Sequence, residues 1–263
     1  DRRADEAEEE GRCGVSDKLV YLQCFMVLGT RRISMDANSL TLSPEKELKE
    51  ANNFELPSKL YKKGIESAAM TIAGQTSGAF ERAALEQLKN DDEAQLFQFH
   101  GQTEAGGFAI FRQVQVGALQ WSGGKGDIAE FSLPTGDFGD LYLGYVLHCP
   151  LGTPGVTASG ATAAVEMRPV ADNEKLVMAI NVVDPPGVLG SNPALGVALE
   201  SHPDATFSAP VTRLQTSADF TTLGQVLLEV PGPITDSFFR LAWSVGGSDP
   251  VFFAAVSAAI VEA

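Results

Sequence analysis

Cysteine is scarce and unpatterned in this chain. Cys13, Cys24 and Cys149 are odd in number, with no CxxC pair and no His at metal-ligand spacing. They imply neither a disulfide framework nor a zinc site, and they fit a reducing site of synthesis. Basic residues are also few, with 19 Lys and Arg against 34 Asp and Glu and a formal net charge of −15. Such a surface repels nucleic-acid phosphates and anionic membranes at range, which argues against a DNA-binding or membrane-surface protein of the usual kind. A protein that must let DNA slide past without sticking would want the same charge. No apolar run is long enough to span a bilayer, so a soluble chain with no membrane partner is expected. Catalytic signatures are missing too. His100, His148 and His202 form no HxH, HExxH or Cys-partnered pattern. Gly106, Gly107, Gly123, Gly124 and Gly126 lack the GxxxxGK(S/T) spacing of a phosphate loop and read as turn glycines. No catalytic, metal-binding or cofactor-binding residue is expected.

What is present suffices for a substantial core: 263 residues, 44% of them apolar. Two domains are expected. The start, DRRADEAEEEGRCG, has no charged region followed by an apolar one, so it is not read as a secretory signal, and residues 1–17 are read as an acidic arm unable to order itself. KLVYLQCFMVL, closed by Gly29, reads as a strand buried on both faces, with a short helix as the alternative. In SLTLSPEKELKE the residues Leu40, Leu42 and Leu48 alternate with Thr41, Ser43, Glu45 and Glu47, and Pro44 marks an edge strand or a bulge. LYKKGIESAAMTIAG is its partner, so the two form a long hairpin. Thr76 to Asn90 has the spacing of a helix, with Ser77 as N-cap and Phe80, Ala84, Leu85 and Leu88 on one face.

Gly101 to Cys149 is the stretch around which the rest is arranged. It predicts three strands, with Phe108, Ile110, Val114, Val116 and Ala118 on one parity and SGGKGD and PTGDFGD as reversals. From Pro150 to Glu174 the composition shifts to Gly, Thr, Ala, Ser and Pro, and this stretch is read as a linker. A first domain of residues 18–149 is therefore expected to fold without the rest. Beyond it, KLVMAINVVD, ALGVALES, QVLLEV, SFFRLAWSVGG and PVFFAAVSAAIV are short strands at regular spacing, the pattern of a second β-sandwich over 175–263. The last run, rich in Ala, has a helix as its alternative.

In this order, the features resemble the major tail tube proteins of long-tailed, non-contractile (siphovirus-type) bacteriophages. The resemblance is carried by ISMDANSLTLSPEKELKEANNF, SKLYKKGIESAAMTIAG, SGAFERAALEQL, GGFAIFRQVQVGALQWSGGKGDIAEFSLP and GYVLHC, then by LVMAINVVD, GVALESHPDATFS, FTTLGQVLLEVPGPITDSFFRLAWSV and FFAAVSAAIV. No single motif among these is specific; the ordered set over roughly residues 33 to 261 carries it. The resemblance implies a mainly β fold, a tail-tube-type sandwich or partial barrel with one helix and a long hairpin, followed by a C-terminal, decoration-like sandwich. It implies no enzyme activity and a place in the virion tail after synthesis in the host bacterial cytoplasm. The chief partner would be the chain itself, in stacked rings, typically hexamers. Tape measure, tail terminator and distal tail proteins would be further partners, and DNA would pass without specific binding. Six copies giving four strands each would close about 24 strands at ~4.8 Å spacing and ~40° tilt into a barrel about 48 Å across, wide enough for a duplex.

Candidate lumen-lining acids are Glu45, Glu47, Glu50, Asp127 and Glu130, against the reading of a solvated strand face. Glu200, His202 and Asp204 in ESHPD are read as a Pro-containing turn rather than a metal site. Trp243 is read as core-facing with Phe239, Leu241 and Val245, against a carbohydrate platform on a phage decoration or carbohydrate-binding protein.

Overall fold

The computed structural model describes residues 24–33, 37–51, 60–76, 93–123, 129–137, 139–151, 155–183 and 189–263. Every regular element among them is a strand, in two antiparallel sheets of twelve and five strands, as the mainly β expectation has it. The acidic arm and the turn at 124–128 lie outside the described residues. So does the expected helix, apart from Thr76, which closes a strand.

In the first half of the chain the strands are β1 (Phe25–Leu28), β2 (Arg31–Arg32), β3 (Ala37–Ala51), β4 (Leu60–Thr76), β5 (Gln95–His100), β6 (Phe108–Val116), β7 (Gln120–Ser122), β8 (Ala129–Asp137) and β9 (Tyr142–His148). β1 is buried at all four positions, as its unbroken apolar run predicts. β6 is the hub. One edge pairs with β5 along most of its length. The opposite edge is divided, Phe108–Phe111 pairing with β9 and Val114–Val116 with β8. Arg112, only 2% exposed, stands at the fork, and its Nη2 donates to the Gly139 carbonyl in the β8–β9 connection at 2.8 Å. A charged donor there satisfies backbone that neither ladder reaches.

The second half continues with β10 (Gly160–Ala161), β11 (Val165–Glu166), β12 (Glu174–Val182), β13 (Leu189–His202), β14 (Val211–Gln215), β15 (Gly224–Pro231), β16 (Phe238–Val251) and β17 (Ala254–Glu262). β17 pairs with β9, then β12 with β17 and β15 with β12, so three C-terminal strands extend the sheet begun by β6. Residues 175–263 are therefore not a separate sandwich: only β13, β14 and β16 of that span build the second sheet. The stretch expected as a linker is also woven in. β10 and β11 pair with β16, Val156 and Val170 bridge to Phe252 and Ile234, and Val156, Val165, Met167 and Val170 are buried. Its small residues belong to short edge strands, where composition resembles that of a loop. The Ala-rich end is the strand β17, not a helix; its alanines let it lie between two neighbours at close quarters.

Both faces of the large sheet are used. One packs Leu176, Met178, Ile180, Val256 and Ala258 against Val197, Leu199, Phe239 and Leu241 of the small sheet. Inside the curl, β12 and β17 come to face β1 and β5 across a polar layer. Asn181 Nδ2 donates to the carbonyls of Leu96 (2.9 Å) and Gly29, and Gln98 Nε2 donates to Asn181 Oδ1 and to the Ala255 carbonyl (3.1 Å). Ser257 Oγ donates to Gln98 Oε1 at 2.6 Å. His100 Nε2 is 2.9 Å from Ser257 Oγ. With the serine proton committed to Gln98, Nε2–H of His100 is the donor and its Nδ1 carries no proton. Gln225 adds a second tie, accepting from the Leu96 amide at 2.6 Å.

Two outcomes follow from this shared interior. A chain ended after Cys149 loses β12, β15 and β17 together with the partners of Gln98 and Leu96, and is expected to be insoluble or molten. A near-UV circular dichroism spectrum showing fixed aromatic packing in residues 1–149 would overturn this. The second outcome concerns His100, which burial, with a smaller contribution from His148, holds at about 3 instead of 6.5. Between those values the unfolded chain binds more protons, so stability is intact above pH 6.5 and falls as pH drops towards 3. At pH 5 the loss from this group is about 2 kcal/mol. Urea unfolding at pH 7.5 and pH 5 should show wild type losing about that much more than His100→Gln; an equal loss would show His100 titrating normally in the native state.

Candidate assembly surface

The long hairpin expected from alternation is present, with β3 of 15 residues and β4 of 17 paired antiparallel from Ala37↔Gly74 to Ala51↔Leu60. β4 pairs with β8 only from Met70 to Thr76. From Leu60 to Ala69, a run of about 33 Å at ~3.3 Å per residue, the hairpin continues as a two-stranded ribbon. Among the described residues, β3 has no neighbour besides β4, and the first part of β4 has none besides β3. A two-stranded ribbon is marginal on its own in water, and its open edges present unpaired backbone groups.

The phase of those edges is legible from Pro44. Proline has no N–H, yet the ladder runs through Pro44↔Ala68 without a shift. That pair is therefore of the non-hydrogen-bonded kind, and the N–H and C=O of Ala68 are directed away from β3, to the open edge of β4. Pro44 marks an edge strand, one of the two expectations; the bulges fall elsewhere, at Ala37/Ser39 and Lys46/Leu48.

The expected lumen acids are distributed unevenly over this surface. Glu45 opposes Ser67, which puts position 45 in phase with Thr41, Thr71 and, across β8, Glu130. This phase is opposite to that of Ile72 and Leu133, which are fully buried, and Glu130 is exposed. Glu47 falls in the bulge and has no direct partner, and Glu50, opposite Tyr61, follows it. Asp127 lies outside the described residues.

The remaining polar candidates have structural partners. Arg240 Nε donates to Glu200 at 2.8 Å, and the Asp204 amide donates to His202 Nδ1 at 3.2 Å. Asp204 in turn accepts from the Thr206 amide and hydroxyl, which holds its carboxyl below the usual range. No cluster of three metal-ligating side chains occurs among the described residues. Phe239 and Leu241 are buried, while Trp243 is half-buried and donates Nε1–H to the Ala158 carbonyl at 2.9 Å. Sequence reasoning missed Gln98, Asn181 and Ser257. It also missed Asp236, which accepts from the Ser201 hydroxyl at 2.6 Å and pairs with Arg213 at 2.9 Å.

No family model matches the chain. No curated protein matches it either. Among solved structures it is similar to a chain in the tail of an empty gene transfer agent particle with C6 symmetry, at 18% identity and a TM-score of 0.34, over 40% of this chain and 80% of that one. A chain in the virion of the native gene transfer agent particle is 17% identical with a TM-score of 0.36, over 45% and 94%. The Dit protein of phage SPP1, described as a paradigm of the hub adsorption apparatus in phages infecting Gram-positive bacteria, is 10% identical with a TM-score of 0.36, over 90% and 99%. TM-scores of this size carry no argument about what the chain does.

Proposed function

We propose that this chain is a structural, non-enzymatic subunit of a bacteriophage tail, and specifically the tail tube protein, whose copies join into stacked rings around the DNA path. The observation that carries the reading is the ribbon of β3 and β4 that runs on past its sheet. A monomer gains nothing from ten residues of β4 left with one open edge, whereas a neighbouring copy that adds a strand there satisfies those backbone groups. The ordered resemblance of the sequence to tail tube proteins and the charge of −15 point the same way.

Ala68→Pro tests the join. It removes an N–H directed to the open edge and none from the β3–β4 ladder, so near-UV circular dichroism is expected to stay native while rings and filaments vanish from electron micrographs and sedimentation profiles. Tubes of normal length from a natively folded Ala68→Pro protein would remove the β4 edge from the interface.

In this reading the face carrying Glu130, with position 45 in phase, is turned to the channel and keeps phosphates from docking. A docked phosphate releases counterions and would hold the genome in place. At physiological salt a carboxylate's field decays over about 8 Å, so only groups close to the duplex matter, and a ring multiplies every substitution by its subunit number. Phage carrying Glu45→Lys, Glu47→Lys and Glu130→Lys together should build intact tails but eject DNA more slowly, with the delay easing as salt rises. Ejection at the wild-type rate from intact virions would place these acids outside the channel.

A further inference from the structure

The two sheets leave a crevice of about 560 Å³ where the end of β9 and the β5–β6 loop meet β16 and the residues after β10. Its polar lining is His148, Glu104, Thr103 and Thr162, and its apolar lining includes Leu147 and the indole of Trp243. We propose that this crevice binds a neutral pyranose unit of a saccharide.

The crevice is built rather than left over. Trp243 is pinned by its Nε1–H bond to Ala158, and the His148 ring lies 5.3 Å from it at 54°. Gly160 of β10 lies in van der Waals range of the indole, so the short edge strand backs the ring. Thr162 Oγ1 accepts from the Leu241 amide at 3.0 Å, which leaves its hydroxyl proton to donate.

His148 identifies the ligand's chemistry. Its imidazole makes no hydrogen bond to any described residue, and burial holds its pKa below the usual histidine value, so near neutrality the ring offers one donor and one acceptor. A sugar hydroxyl, itself donor and acceptor, matches that pair; a phosphodiester has no proton to donate and an ammonium cannot accept. Glu104 offers only acceptors and, on a chain of charge −15, opposes an anion. The half-buried indole of Trp243 supplies apolar surface for the C–H face of a pyranose. The volume lies within the range of about 300–1,000 Å³ typical of small-ligand sites. The site is independent of the β3–β4 edge, so it stands or falls apart from the tube reading.

The test is a titration of the full chain with the methyl glycosides of glucose, galactose, mannose and N-acetylglucosamine, followed by calorimetry and by tryptophan fluorescence. A Trp121→Phe background makes Trp243 the sole reporter, since the chain has two tryptophans. Saturable binding of at least one glycoside is expected, weakened about fivefold or more by His148→Ala and by Glu104→Ala, the worth of one hydrogen bond each. Glu104 is exposed, so its variant is expected to keep the thermal midpoint and to isolate the loss of binding from any loss of fold. No saturable response to any of the four at about 50 mM, where millimolar sites are mostly filled, would overturn the proposal. So would binding that both variants leave unchanged.

Discussion

A strand has two edges, and β6 must serve three neighbours. That constraint shapes the rest of the molecule. With β5 on one edge, the other is divided between β9 and β8, and the two ladders diverge from the fork at Arg112. One branch curls through β9, β17, β12 and β15 back towards β5; the other runs through β8 to β4 and β3 and leaves the body of the fold. Closing the first branch makes a core. Leaving the second open makes an edge, and an edge is either protected or used.

The closure depends on close approach as much as on apolar area. Gly144 of β9 faces the Ala258 carbonyl of β17 so closely that a Cβ would stand 2.1 Å from the oxygen, so any side chain there would push the C-terminal strand off the sheet. Once β17 and β12 are seated, their inner face meets β5 through amides and hydroxyls rather than through hydrocarbon alone. Such a layer is costly if any member lacks a partner and confers specificity when the bonds are made. Asn181 reaches the carbonyls of Leu96 in β5 and of Gly29 in the turn after β1, which fixes how far the curl can turn. Gln98, Asn181 and Ser257 thus select one closure among the many that Val177, Ala179 and Phe111 would tolerate on size alone.

How much of this was legible in the sequence follows from the range of each interaction. β1, the β3–β4 hairpin, β12 and β16 were readable because alternation and apolar runs are local, and Pro44 signalled an edge through its own chemistry. The polar layer was not, because Gln98 in QLFQFH looks like the solvent-facing half of an alternation, and its partners Asn181 and Ser257 are 83 and 159 residues away. The joining of the two halves was hidden for the same reason: composition marks a loop-like stretch at 150–174 but carries nothing about β17 returning to β9. For the acids, alternation placed Glu45 and Glu47 on one face, whereas the Lys46/Leu48 shift separates them in the ladder. A bulge of that kind has no signature in a run of Glu and Lys.

The same geometry separates the two proposed surfaces. The ribbon extends from the second branch, while the crevice of His148 and Trp243 lies where the first branch meets the small sheet, beside the end of β9. An assembly joined through the open edge of β4 consumes backbone groups of β3 and β4 and need not cover the junction of the sheets. If ring closure uses the ribbon alone, the small sheet is left on the periphery, where β14 offers an edge with Val211 46% exposed. The proposed joining edge and the proposed ligand crevice thus lie on different branches of the sheet that forks at β6. A substitution in either branch then leaves the other intact as long as Arg112 and the amide layer hold the fork in place.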